Sequence, residues 1–174
     1  FVQFFSNAAR VGFAFHHVDF RLLLPLICGS VLGAAIGSQA VGVVSFAVLP
    51  AIAGIIIVLV VWLPHDRFIP KGRAALFALG AYQTGLGMVA GATGPLGAVV
   101  LNRMNTEREW LVVNTGVYMT INHGVRSVAF GLLGFAFHAW WLTIAVMSCG
   151  VILGAWLGTR LRQYVPQTNY ETVF

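Results

Sequence analysis

One stretch of this chain occurs twice. Cys28-Gly29-Ser30-Val31-Leu32-Gly33-Ala34-Ala35-Ile36-Gly37-Ser38-Gln39 returns as Cys149-Gly150-Val151-Ile152-Leu153-Gly154-Ala155-Trp156-Leu157-Gly158-Thr159-Arg160. Cys, Leu, an Ala and all three Gly match, while Val/Ile, Ile/Leu and Ser/Thr exchange like for like. The glycines recur every fourth position, so each copy places them on one helix face, where a second backbone can approach closely. A self-similar segment in an apolar chain predicts an internal repeat, and repeats in membrane transporters are often inverted.

The surroundings of the repeat are those of a membrane protein. Hydrophobic residues make up 59% of the chain, charged residues 9%, and the mean hydropathy is +0.86. Soluble domains carry roughly a quarter charged residues, whereas several runs here approach the ~20 apolar residues that cross a bilayer. The net charge of +5 does not imply nucleic acid, because the basic residues are sparse and flank apolar runs, where they set topology. Cys28 and Cys149 occupy equivalent helical positions and read as small packing residues rather than a disulfide or a metal pair. The chain opens on Phe1 without a cleavable signal pattern and turns apolar again over residues 170–174, so it reads as a fragment lacking material at both ends.

In order, residues 1–15 form the tail of a helix bearing Asn7 and Arg10, and His16, His17, Asp19 and Arg21 form a polar loop. Residues 22–41 are the first glycine-faced helix and residues 48–63 an Ile- and Val-rich span. Residues 64–73 form a proline-containing basic loop that divides the chain. The first repeat, cut short at its start, then covers residues 1–63, and the second covers residues 74–174 with its final helix missing. Residues 74–104 would run roughly 46 Å as a helix, too long for one ordinary span and too short for two. In their middle Gly91-Ala92-Thr93-Gly94-Pro95-Leu96-Gly97 should break the helix, since Pro lacks an N–H and disfavours helix before it. Such a break at membrane depth belongs inside protein or beside a water-filled cavity. Residues 110–135 form a long polar-studded span, and residues 138–157 the second glycine helix.

Charge sets the topology. If the broken segment crosses fully, Arg21, Arg67, Lys71 and Arg73 face one side and Arg103, Arg108, Arg160 and Arg162 the other. If it enters and returns, all eight face the side of the 64–73 loop, which the positive-inside rule makes cytoplasmic. That arrangement turns the two glycine helices antiparallel and the repeat inverted. The expected fold is all-α: a polytopic transmembrane helical bundle with inverted internal repeats and a broken re-entrant helix.

Candidate site residues follow from polarity at membrane depth. Broken helices aim half-helix N-termini at anions, which singles out Thr93, Gly94 and Pro95 as the source of backbone donors; the alternative is a kink that only packs. Arg10 and Arg126 are charges inside lipid, read as anion ligands or as snorkelling side chains. Asn114, Thr115 and Asn122 are uncharged donors suited to an oxyanion that must also leave, or to interhelical hydrogen bonds; Asn7 is the counterpart of Asn122 in the first half, and Gln83 and Thr84 rank below them. Every acidic residue (Asp19, Asp66, Glu107, Glu109, Glu171) falls in a loop or tail, so His123 is the lone candidate for a membrane-embedded proton relay, against a merely packed histidine. His16-His17 with Asp19 reads as a solvated loop rather than a metal site. No nucleotide-binding or hydrolytic motif occurs.

Two copies of Gly-xxx-Gly-Ala-xx-Gly, each after an Asn- and Arg-bearing helix, resemble the sulfite exporter TauE/SafE permease family. So does Gly91-Ala92-Thr93-Gly94-Pro95-Leu96 followed by Asn114-Thr115. The resemblance spans essentially the whole chain, from the later part of the first repeat through most of the second. It implies a multi-pass inner (plasma) membrane permease, not an enzyme, without cofactor or metal, exporting a small sulfur-containing anion such as sulfite, sulfoacetate or a related organosulfonate. The other classes are a passive anion channel and a non-catalytic membrane subunit. The partners implied are the anion and the lipid bilayer, with no nucleic acid; a homodimer is allowed for but not required.

Overall fold

In a computed structural model of the protein, residues 1–43, 45, 48, 51–52, 54–55, 58, 72–91 and 95–162 are described. Their regular structure is helical, with no strand among the described residues. Six α-helices are delimited among the described residues: α1 (Val2–Phe13), α2 (Leu23–Val43), α3 (Gly72–Ala90), α4 (Pro95–Asn102), α5 (Arg108–Leu132) and α6 (Trp141–Arg162). Short 3-10 turns at Phe15–His17 and Phe20–Leu22 join α1 to α2, and one at Phe137–Trp140 leads into α6. Most of the span expected at residues 48–63 and of the loop at 64–73 lies outside the described residues. Phe20–Val41 and Phe137–Leu161 are each long and apolar enough to cross a bilayer.

The helix expected to break does so. α3 stops at Ala90; Gly91 follows at φ +76°, donating its N–H to the Gly87 carbonyl at 3.1 Å. This left-handed cap favours glycine, which has no Cβ to clash. α4 then opens on Pro95, whose missing N–H costs nothing in a first turn.

The glycine face of α2 is the tightest contact in the fold. A Cβ added at Gly29, Gly33 or Gly37 would strike the backbone of Phe77, Ala81 and Gly85 of α3, the last at 2.7 Å from the Gly85 carbonyl oxygen. From the other side, a Cβ at Gly80 would lie 2.6 Å from the Leu26 carbonyl oxygen. Residues 29, 33 and 37 meet 77, 81 and 85 in rising order, so the two helices run parallel.

One buried cluster then fixes the ends. Leu22 and Leu26 from the start of α2 join Ala75, Leu76 and Leu79 from the start of α3, Val100 and Leu101 from the end of α4, and Tyr118, with Trp110 and Leu111 from the start of α5 packed against them. Arg21, Arg73, Arg103 and Arg108 flank these residues in sequence, so this is the basic end of the bundle. α1 runs the other way along α5: Gly116 faces Val11 and Asn7, and Gly124 faces the Phe4 ring. The Phe1 and Phe137 rings lie 4.3 Å apart, which places the start of α1 beside the start of α6. α6 packs chiefly on α1. The two glycine helices therefore point in opposite directions, α2 away from the basic end and α6 toward it.

Their glycine faces fare differently. Among the described residues, Gly150, Gly154 and Gly158 have nothing within 4 Å of an added Cβ, so of the packing seam expected of both copies the described residues close only the one on α2. Because overpacking against backbone typically costs about 1–3 kcal/mol, Gly33→Leu should lower the melting temperature in detergent by about 5 °C or more. Gly12→Leu, on a face with nothing near, should leave it within about 1 °C. Equal melting of the two variants would show that the α2–α3 approach carries no stability.

Candidate functional site

Four buried or half-buried polar residues recur at every fourth position of α5: Asn114, Tyr118, Asn122 and Arg126. That spacing keeps them on one face over roughly 18 Å of helix. Asn114, Tyr118 and Asn122 are essentially inaccessible.

At the basic end Asn114 clamps the loop after α1. Its Oδ1 accepts from the Asp19 amide at 2.8 Å, while its Nδ2 donates to the His17 carbonyl at 2.9 Å and to the Trp110 carbonyl at 2.8 Å. Both amide hydrogens are committed, so this side chain holds His16, His17 and Asp19 in place. Thr115 is half-buried and points off the stripe by one helical step.

Tyr118 comes next. Its ring lies against Gly97 of α4, where an added Cβ would come within 2.7 Å of Cζ. Among the described residues the buried Tyr118 hydroxyl has no hydrogen-bond partner, nor has that of Tyr82 on α3. Asn122 joins α3 to α5: its Oδ1 accepts from Thr84 Oγ1 at 2.5 Å, and its Nδ2 donates to the Tyr118 carbonyl at 3.0 Å. Gln83, beside Thr84, is buried as well.

Arg126 ends the stripe. Its guanidinium sits on α3 at Gly87, where an added Cβ would lie 2.8 Å from Nη1; any side chain there would displace the charge. The Nε is buried and has no partner among the described residues. With His123, Ser127, Phe130, Phe135 and Phe137, Arg126 lines a cavity of about 250 Å³. An arginine walled mainly by aromatic rings, with a hydroxyl and an imidazole nearby, can take an anion by charge-assisted hydrogen bonds.

Of the remaining residues picked from sequence, Asn7 is buried and donates to the Gln3 carbonyl at 2.7 Å, the same one-turn-back bond that Asn122 makes. Arg10 runs its stem over Gly116 of α5 and lines a separate groove of about 450 Å³ between α1 and α6. Gly116 and Arg126 are about 15 Å apart along α5, so the two arginines occupy different cavities. Pro95 opens α4, and Thr93 and Gly94 lie outside the described residues. The sequence reading passed over Tyr118, Tyr82, Gly87 and Ser127. The spacing 114–118–122–126 was the available signal, but it emerges only when tyrosine is counted as polar.

The whole chain, residues 1–174, matches the family model for sulfite exporter TauE/SafE. The chain belongs to the sulfite exporter TauE/SafE family. No curated protein and no solved structure matches it. TauE/SafE proteins are membrane transporters of sulfur-containing anions, and Phe20–Val41 and Phe137–Leu161 of this TauE/SafE chain fit a membrane by length and composition, while the α5 stripe is a set of buried polar groups between helices. Such groups hydrogen-bond across helices for about 1 kcal/mol each. Thr84→Val and Asn122→Ala should each destabilise the protein by about 1–2 kcal/mol. Their double-mutant cycle in detergent should return a coupling of about 1 kcal/mol, and strictly additive losses would show that the bond does not tie α3 to α5.

Proposed function

We propose that this chain forms the substrate-handling part of a secondary transporter in the inner (plasma) membrane. It exports a small sulfur-containing anion, such as sulfite, sulfoacetate or a related organosulfonate, by alternating access. The observation that carries the reading is Arg126: a guanidinium on a glycine seat, its Nε without a partner among the described residues, opening into a cavity. Charge held inside lipid at such cost belongs by default to a site.

The arrangement of α3 and α4 supports a re-entrant element. Had α4 continued in the direction of α3, Leu101 would lie roughly 38 Å beyond Leu76; instead both belong to one buried cluster. In this reading α3 crosses most of the membrane and α4 returns toward the basic end, which faces the cytoplasm together with the 64–73 loop. The first turn of α4, opening on Pro95, then presents its free N–H groups and positive dipole at depth; Thr93 and Gly94, which precede it in sequence, lie outside the described residues but belong to the same proposed anion site. Asn114 and Asn122 serve this site by holding the loop and helices around it, and Thr115 lies beside them. His123 shares the Arg126 cavity, which supports a proton-relay role for it there. The opposite directions of α2 and α6 support an inverted pair of repeats over residues 1–63 and 74–174. Asn7 and Arg10 are then the first-repeat counterparts of Asn122 and Arg126.

Efflux of labelled sulfite from vesicles tests the assignment. Losing charge-assisted bonds of about 1.5–3 kcal/mol should weaken sulfite handling about 10- to 100-fold in Arg126→Ala, with partial recovery in Arg126→Lys. Gly87→Leu should behave like Arg126→Ala, because it evicts the guanidinium from its seat. Undiminished efflux in Arg126→Ala would overturn the site, and flux that never saturates with sulfite would overturn alternating access in favour of a channel.

A further inference from the structure

Tyr118 carries a hydroxyl that its surroundings do not explain. Its ring belongs to the buried apolar cluster at the basic end, with Leu22, Leu76 and Leu101, and the residue is 0% exposed. A phenylalanine would pack there equally well without taking a polar group out of water. Among the described residues the hydroxyl has no hydrogen-bond partner, and neither has the buried hydroxyl of Tyr82. The two phenols interact electrostatically without hydrogen-bonding each other, so one small polar group between them could bond both.

The neighbourhood of Tyr118 selects that group. Its ring rests on Gly97, where an added Cβ would come within 2.7 Å of Cζ, so the hydroxyl, one bond beyond Cζ, lies beside the first turn of α4. First-turn amides have no partner within their own helix, and the helix dipole places positive charge there. Pro95 supplies no N–H, which leaves those of Leu96, Gly97 and Ala98. The amides can only donate, the phenols can donate with them, and a cation would meet the positive end of the dipole. An oxyanion accepts from all of these groups at once.

We propose that the Tyr118 and Tyr82 hydroxyls touch the transported anion, both donating to its oxygens when it stands at the first turn of α4. Neither residue lines the Arg126 cavity, and Tyr118 lies about 12 Å from Arg126 along α5. The anion's path then has two stations, a neutral one at the tyrosines and a charged one at the arginine. Neutral donors hold an anion less tightly than a guanidinium does, which suits a station the anion must leave. The inference rests on the transport reading above, though not on Arg126. Two other partners compete for the hydroxyls: an ordered water, or a residue outside the described ones, among which Thr93 carries the side-chain oxygen nearest to Gly97 in sequence.

Melting of the purified full chain in detergent, with and without sodium sulfite, separates the three. Without sulfite, Tyr118→Phe and Tyr82→Phe should melt within about 1 °C of the unsubstituted protein or above it, because the hydroxyls removed bond to no protein group. The sulfite concentration giving half-maximal stabilisation should rise about 10-fold in each variant, while sodium chloride of equal ionic strength should not stabilise the protein. A loss of about 2–4 °C without sulfite, at unchanged sulfite response, would overturn the inference in favour of a hydrogen bond to protein; the same loss in Thr93→Val would name the partner. Unchanged melting with unchanged response would overturn it in favour of water. Arg126→Ala, measured alongside, keeps the two readings apart. If it loses sulfite stabilisation while both tyrosine variants keep it, the tyrosine station alone fails. If the tyrosine variants lose it and Arg126→Ala keeps it, the station stands and the Arg126 assignment fails. An unsubstituted protein stabilised by neither sulfite nor sulfoacetate would overturn both.

Discussion

The close approach of α2 to α3 is the contact on which the remaining geometry depends. Glycine at 29, 33 and 37 lets backbone meet backbone, and in a bilayer such contact replaces the hydrophobic drive that lipid cannot supply. Once α3 is held against α2 over several turns, the adjoining strip of its surface is presented to α5 in a fixed register. Thr84 then reaches Asn122, and Gly87 lies under Arg126. The basic-end cluster of Leu22, Leu76, Leu101 and their neighbours locks the same register from below.

Glycine does a second kind of work in this fold. At Gly87 and Gly97 the missing side chain makes room for a large polar residue of α5 rather than for another backbone: the Arg126 guanidinium in one case, the Tyr118 ring in the other. Polar groups within lipid must otherwise find partners, and the asparagines do so by the shortest route. Asn7, Asn114 and Asn122 each donate to the carbonyl one turn back. Asn114 and Asn122 spend their remaining capacity on neighbouring elements. Arg126 keeps an Nε without a partner among the described residues, and that difference separates a structural polar residue from a candidate ligand.

The fold was largely legible because lipid imposes strong rules on sequence. Apolar run length located α2, α5 and α6 to within a few residues, and Gly91 with Pro95 marked the break between α3 and α4. Loop charge predicted that the two glycine helices oppose each other, and the ring contact of Phe1 with Phe137 and the basic-end cluster bear that out. The site was less legible. Asn114 and Asn122 are alike in sequence, and only their partners reveal that both hold helices and loops together. Arg10 and Arg126 were grouped by similarity of context, whereas the structure puts them in separate cavities. Spacing along one helix is visible in sequence; the helix that faces it is not.

That separation has a physical origin in helix direction. Arg126 lies near the end of α5, and Arg10 lies near the end of α1, so along their own helices the two residues are placed alike. α5 climbs away from the basic end and α1 descends toward it. The same local motif therefore delivers one guanidinium far from the basic end and the other closer to it, about 15 Å apart along α5. Two charges at one depth would repel each other across a low-dielectric interior. Set at different depths by opposed helices, each lines its own cavity.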